Sequence, residues 1–198
     1  MSDDDAICEA VVRQLYGAFN ARRIDEAAAL FRDDAVLEHI PVGHQQRGPA
    51  GYRDFAGMWL NAFPDATVDV ERISYRGGWR CEVDLRATGT HQGPLDLGGY
   101  GYFKASGAPG ELRLRQMVEI ADRQIAFSSL SFDVQDIVRQ LVCVDVPTLL
   151  KRLERIHDLQ GRLAAVAPGD TSTRRAVLER LGSELDAARR IVRPYFDH

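Results

Sequence analysis

The sequence has no long hydrophobic run. None approaches the ~20 residues needed to span a bilayer, so no membrane partner is expected. It also has no large surplus of charge of either sign. With 25 Lys and Arg against 29 Asp and Glu, the net charge is −4, which gives no basis for binding nucleic acid or an anionic membrane. The three cysteines, Cys8, Cys81 and Cys143, are odd in number and far apart. That fits buried, reduced thiols in a cytoplasmic protein better than a disulfide framework. The opening Met1-Ser2-Asp3-Asp4-Asp5 carries no basic n-region, so no secretory signal is expected. The chain also contains no Gly-rich phosphate loop, Cys-x-x-Cys pair, Ser–His–Asp signature, internal repeat or low-complexity segment.

What is present is an ordinary globular balance, 45% hydrophobic and 27% charged, over 198 residues. That length suffices for one domain and an appendage. The clearest stretch runs from Phe63 to Pro94. Val68 and Val70 alternate with Asp69 and Glu71, and then Trp79, Cys81, Val83, Leu85 and Ala87 alternate with charged or polar neighbours. Alternation of period 2 predicts two strands with one buried face, and Gly77-Gly78 supplies the turn between them. The apolar phase slips by one residue near Arg72, which predicts a bulge and a curved sheet.

Helices are predicted before and within this region: about Asp5 to Asn20, Asp25–Phe31, and Tyr52–Phe63 with Phe55, Trp59 and Phe63 along one face. Ala35–Ile40 reads as a short strand. After Pro94, strands are predicted over Leu97–Ala105, Glu111–Ala121 and Gln124–Phe132, with a tight turn at Asp122-Arg123. This order predicts an α+β fold, with helices on one face of a curved antiparallel sheet. From Asp133 the pattern becomes helical. A short helix over Asp133–Leu141 is broken at Asp145-Val146-Pro147, and helices over Thr148–Val166 and Thr171–Tyr195 follow. Leu149, Leu153, Ile156 and Leu163 on the first, and Leu178, Leu181, Leu185, Ala188, Val192 and Tyr195 on the second, predict the seam of a helical hairpin. Two domains are expected, 5–142 and 147–195. The apolar seam also leads to the expectation of a homodimer.

Five segments carry a family resemblance: Tyr16–Ala21, Leu30–Val36, Phe63-Pro64-Asp65, Gly89–Pro94, and Phe132-Asp133 ahead of Ile137 and Gln140-Leu141. Together they resemble the SnoaL-like polyketide cyclases, within the nuclear-transport-factor-2-like superfamily. The resemblance implies a cone-shaped α+β barrel enclosing an apolar pocket for a small hydrophobic molecule. It also implies ring-closing aldol chemistry without metal or cofactor, and it does not extend past Pro147. The cyclases carry a general acid/base aspartate on the penultimate strand, and here that position falls on Gln116. A histidine and a tryptophan of their last strand correspond to Ser128 and Ser129.

Gln116 is notable on its own account, because it interrupts the apolar face between Leu114 and Val118. A buried amide needs partners, and such a donor could also hold a carbonyl or enolate oxygen. The imidazoles of His39 and His91 could move protons; superfamily isomerases carry their base near the position of His39. An amide cannot replace the cyclase aspartate as a base. The candidate catalytic residues are therefore His39, His91 and Gln116, and the candidate pocket residues Tyr16, Phe55, Trp59, Tyr102 and Ser128. Glu38, His39 and His44 contain metal-binding groups, but Glu38 and His39 should point to opposite faces of a strand, so no metal site is expected. Two functions stay open: acid–base catalysis on a hydrophobic carbonyl compound, or a non-catalytic binding or assembly module.

Overall fold

The structure, a computed structural model, describes residues 3–141 and 146–196. It separates into two compact units, Met1–Leu141 and Val142–His198. Cys143 and Asp145 lie outside the described residues.

The first unit contains α1 (Asp3–Asn20), α2 (Ile24–Ala28), β1 (Phe31–His39), β2 (His44–Arg47), α3 (Gly48–Ala62), β3 (Thr67–Gly77) and β4 (Arg80–Thr90). It continues with β5 (Leu95–Asp96), β6 (Tyr102–Phe103), β7 (Pro109–Ala121), β8 (Gln124–Phe132) and α4 (Val134–Leu141). Six strands form one curved sheet in the order β2-β1-β8-β7-β4-β3. The fold is mixed α+β, as the alternation predicts. One pairing differs from an all-antiparallel sheet, since β1 runs parallel to β8. Parallel neighbours need a long connection, and here everything from β2 to β7 lies between them.

The β3–β4 hairpin follows from its sequence. Cys81, Val83 and Leu85 are buried on one face of β4. Val70 pairs with Leu85 and Arg72 with Asp84, leaving Glu71 as the extra residue of a bulge where the apolar phase slips. The turn is centred one residue later than the glycine pair suggests. Gly78 and Trp79 are its central residues, with φ of 58° and 64°, the conformation of a type I′ hairpin turn.

Three boundaries differ from the sequence reading. Phe31 starts β1 instead of ending α2, and α3 begins four residues early, at Gly48. Leu97–Ala105 is not a strand of the main sheet. Gly98 and Gly101 take φ of 59° and 113°, and the segment breaks into a 3-10 turn and the two-residue β6. β6 pairs only with β5, in a separate small sheet. Glycines at positive φ cost little locally and interrupt the extended backbone a long strand requires.

The second unit is a pair of helices, α5 (Val146–Ala165) and α6 (Thr171–Phe196). Asp170 caps α6, its Oδ1 accepting the Thr173 N–H at 3.0 Å. Arg152 reaches across to Glu184 at 2.6 Å, which sets the level at which the helices face each other. Stepping antiparallel from this pair sets Leu159 level with Val177, and Ile156 and Ala188 lie on the same two inward stripes; all four are buried. The predicted seam is therefore partly wrong. Leu153, Leu178 and Leu185 are 48%, 51% and 47% exposed, because the inward stripe of α6 is rotated by one residue to Val177 and Glu184.

Candidate active site

Sheet register decides which side chains meet. His39 pairs with Leu130, Leu130 with Gln116, and Gln116 with Val83. Directly paired residues share a face, so this row crosses four strands on the side where Val83 is fully buried. The adjacent row is Leu37, Ser128, Val118 and Cys81. Strands lie roughly 4.8 Å apart, so the His39 and Gln116 backbones stand about 10 Å apart with Leu130 between them.

Two helices cover this face. The stripe Cys8, Val12, Leu15 and Phe19 seats α1 on the sheet, which brings the neighbouring Tyr16 inward. Helix α3 and its C-terminal cap residue Phe63 contribute Tyr52, Phe55, Trp59 and Phe63 at spacings of 3, 4 and 4. Their rings form a ladder. His39 stacks on Phe55 with centroids 3.9 Å apart, Phe55 meets Trp59 edge-on at 6.3 Å, and Trp59 lies 6.0 Å from Phe63.

Between helices and sheet lies a cavity of about 110 Å³. Its wall is mostly aromatic and aliphatic, with polar groups at Tyr16, His39, Gln116 and Ser128. Towards Thr88, Gly89, Gly110, Glu111 and Gln140 it shares its lining with a shallow surface basin, which marks its opening. Gln140 anchors α4 at that opening, its Oε1 accepting the Glu111 N–H and its Nε2 donating to the Glu111 carbonyl, each at 2.7 Å.

The polar wall is ordered by two hydrogen bonds. Tyr16 Oη donates to Gln116 Oε1 at 2.6 Å, and Gln116 Nε2 donates to Ser128 Oγ at 2.8 Å. Burial pushes the Tyr16 phenol well above its ordinary range, helped by Tyr52 and Cys81, so it stays a neutral donor. His39 is 5% exposed. Burial, with a smaller contribution from His44, lowers its imidazole to about 4, so at neutral pH it is an uncharged base. The buried Cys81 thiol is pushed up to about 12 by burial and by Cys8 beside it, which leaves it unreactive. Among the described residues no three His, Cys, Asp or Glu side chains cluster to hold a metal ion.

Six of the eight expected site residues line this cavity: Tyr16, His39, Phe55, Trp59, Gln116 and Ser128. His91 and Tyr102 do not. His91 is fully buried beyond the far end of the α3 ladder, 5.2 Å from Phe63. Its Nδ1 accepts the Ser106 N–H at 3.2 Å and lies 3.1 Å from Ser106 Oγ, while its Nε2 is buried without a hydrogen-bond partner. Burial lowers its pKa, offset in part by the Gly93 backbone. The eight steps along the chain from Phe55 to Phe63 span about 12 Å at the helical rise, which holds the two histidines apart. The segment around His91 is built for packing. Asp65 accepts both the N–H and the hydroxyl of Thr90 at 2.7 Å, and the Gln92 and Gly93 N–H groups close the end of α3 on the Ala62 carbonyl. A Cβ at Gly93 would lie 2.0 Å from the Asn61 carbonyl oxygen. Tyr102 is 41% exposed on β6, outside the main sheet.

Sequence reasoning did not place Tyr52, Leu85, Ile137 or Gln140 in the wall. Tyr52 was detectable, since it lies three residues before Phe55 on the same helical face.

The family model for the SnoaL-like domain matches residues 12–138. The chain belongs to the SnoaL-like family, and its fold is nuclear-transport-factor-2-like. Among solved structures it is similar to a protein of Jannaschia sp. CCS1 assigned as a SnoaL-like polyketide cyclase (17% identity, TM-score 0.62, 71% of this chain and 95% of that one). It is also similar to IdmH of Streptomyces antibioticus, assigned as a polyketide cyclase (23% identity, TM-score 0.57, 68% and 97%). A third is a protein of Catenulispora acidiphila with a ketosteroid isomerase-like fold (12% identity, TM-score 0.55, 66% and 91%). At these identities the likeness concerns the fold. No curated protein matches the sequence.

Proposed function

We propose that the chain is a cofactor-independent enzyme that performs acid–base chemistry on a small, uncharged, hydrophobic carbonyl compound of polyketide type. The observation that carries this reading is a neutral, buried imidazole, His39, on the same wall of an apolar cavity as the Gln116–Ser128 donors. Removing a proton beside a carbonyl needs a base at the carbon and a donor at the oxygen, and the two ends of this wall offer one of each. A base whose conjugate acid titrates near 4 is always ready at neutral pH, but it is a weak base. It therefore suits an activated C–H, such as one between two carbonyls, and not that of a simple ketone. Cyclisation, isomerisation and dehydration all begin from such an enolate.

The test is hydrogen–deuterium exchange at the activated carbon, followed by NMR over a panel of aryl 1,3-diketones. Exchange above the buffer rate in the wild type, lost in His39→Gln, is the expected result. No exchange with any member of the panel, or equal rates in the two proteins, would sink the proposal. A second reading, a ligand-binding module without catalysis, draws on a different observation: no group described on the cavity wall is shifted towards neutral pH, with His39 moved down and Tyr16 and Tyr52 moved up. Binding of the diketones without exchange would support that module.

Assembly is part of the proposal. The chain forms a homodimer, a reading supported by Leu150, Leu153, Leu178 and Leu185, which stand 47–54% exposed on the helix pair. A monomer in light scattering at micromolar concentration would refute it. Among the described residues no helix is long and apolar enough to cross a membrane.

A further inference from the structure

The two hydrogen bonds on the polar wall have a direction. O–H···O bonds centre near 2.7–2.8 Å, while N–H···O bonds are longer, centred near 2.9–3.0 Å. The Tyr16–Gln116 contact, at 2.6 Å, lies at the short end of the O–H···O range. It places the amide carbonyl towards Tyr16 and the amide nitrogen towards Ser128. The nitrogen then donates to Ser128 Oγ, 2.8 Å away. The Ser128 hydroxyl has one hydrogen to give, and among the described residues it donates to no protein acceptor. Gln116 and Ser128 are 5% and 4% exposed, and both line the cavity. An unspent donor there has only the cavity contents to serve.

We propose that Tyr16, Gln116 and Ser128 form a one-way donor relay in which the Ser128 hydroxyl binds the carbonyl oxygen of the ligand, Gln116 holds that hydroxyl, and Tyr16 positions and polarises the amide. This rests on the reading of the cavity as a site for an oxygen-bearing hydrophobic molecule, and it assigns the contact to Ser128, where the sequence pointed to Gln116. The physical reason is cooperativity. Each donor that is itself an acceptor becomes a stronger donor, by about 10–30% per bond in a low-dielectric interior. Tyr16 heads the chain as a neutral phenol whose one hydrogen is committed to Gln116, so it acts through the amide as a positioning residue. The relay also compensates for the absence of a carboxylate at position 116. A carboxylate could take up a proton there. An amide accepts and donates hydrogen bonds but takes up no proton, so proton transfer falls to His39 and stabilisation of the oxyanion to Ser128.

The test uses para-nitrophenol, whose phenolate resembles an enolate and absorbs visibly. Its apparent pKa when bound is measured by spectrophotometric titration in the wild type, Ser128→Ala, Ser128→Thr and Tyr16→Phe. Ser128→Ala should raise the bound phenol's pKa by about one unit, a tenfold loss of phenolate. Tyr16→Phe should raise it by a smaller amount, about two- to threefold in phenolate population, with little change in affinity for the neutral phenol. Ser128→Thr keeps the hydroxyl on a strand-compatible side chain and should restore the wild-type value. A larger effect from Tyr16→Phe than from Ser128→Ala would mean that the chain runs the other way, with Tyr16 as the donor, and would overturn the assignment. An unchanged pKa in Ser128→Ala would overturn it as well. Failure of the wild type to bind the phenol would remove both the relay and the cavity reading. A relay that behaves as expected in a protein that exchanges no diketone deuterium would uphold the relay and defeat only the catalytic reading.

Discussion

The two faces of the same strands follow opposite electrostatic logic. On the outer face Asp84 takes both Arg72 and Arg115, Glu82 takes Arg76 and Arg115, and Arg86 reaches Asp69, Glu71 and Glu111. The arginines of this ladder are 40–66% exposed, so water and salt screen each pair and each contributes little. On the inner face, residues one position away on the same strands form a nearly dry wall with few polar groups. Gln116, 5% exposed, is flanked by Arg115 and Met117 on the outside. One step along a strand thus separates a place where a charge is cheap to lose from one where an amide is costly to lose. On the inner face the low dielectric makes each of the few polar interactions large.

The comparison can be broken most sharply at His39. His39→Gln should lower enolate-forming exchange by 10²-fold or more, the usual contribution of a positioned base, with the fold intact by circular dichroism. Gln116→Leu should come next. It leaves the Tyr16 and Ser128 hydroxyls without their shared partner in a buried place, at a cost of about 2–4 kcal/mol read from the urea midpoint. A loss below ~0.5 kcal/mol would mean that the inner wall is no more sensitive than the outer one.

Acid tests the same contrast without a mutation. The folded-state pKa of His39, about 4, lies below the ordinary 6.5, so the unfolded chain binds the extra proton first. Its contribution is fully present above pH 6.5 and is lost as pH falls through 4, a change on the order of 3 kcal/mol. Urea titrations should show stability declining over that window, and His39→Gln should flatten the decline. The smallest effect is expected on the outer face. Arg115→Ala should cost less than ~1 kcal/mol despite its two carboxylate partners, and less still in high salt. A loss above ~2 kcal/mol would show that the ladder is a coupled network.

Much of the framework was legible because it depends on local periodicity. Alternation located β3, β4, β7 and β8, the slip near Arg72 located the bulge at Glu71, and Gln116 was conspicuous as an amide on an apolar face. Helical spacing put Phe55, Trp59 and Phe63 on one side of α3. The same local reasoning failed where several alternatives satisfy one period. A helix with apolar residues at both Val177 and Leu178 offers two adjacent stripes, and only the partner helix, through Arg152 and Glu184, selects one. Glycines made Leu97–Ala105 look like a bent strand, when their positive φ ended it.

The sequence by itself determined the long strands β3, β4, β7 and β8, the inward face of each, and the small set of polar residues that interrupt it, because burial alternates with the covalent geometry of the chain. The tertiary structure alone decided which of those residues meet. Tyr16 and Gln116 are 100 residues apart in the chain and hydrogen-bonded at 2.6 Å. His39 and His91 look equivalent in the sequence, yet they sit at opposite ends of an aromatic ladder, one facing the cavity and one sealed against Ser106. Register between strands and the seating of α1 and α3 set those distances. Both depend on how the buried faces pack together across the fold, which no local pattern encodes.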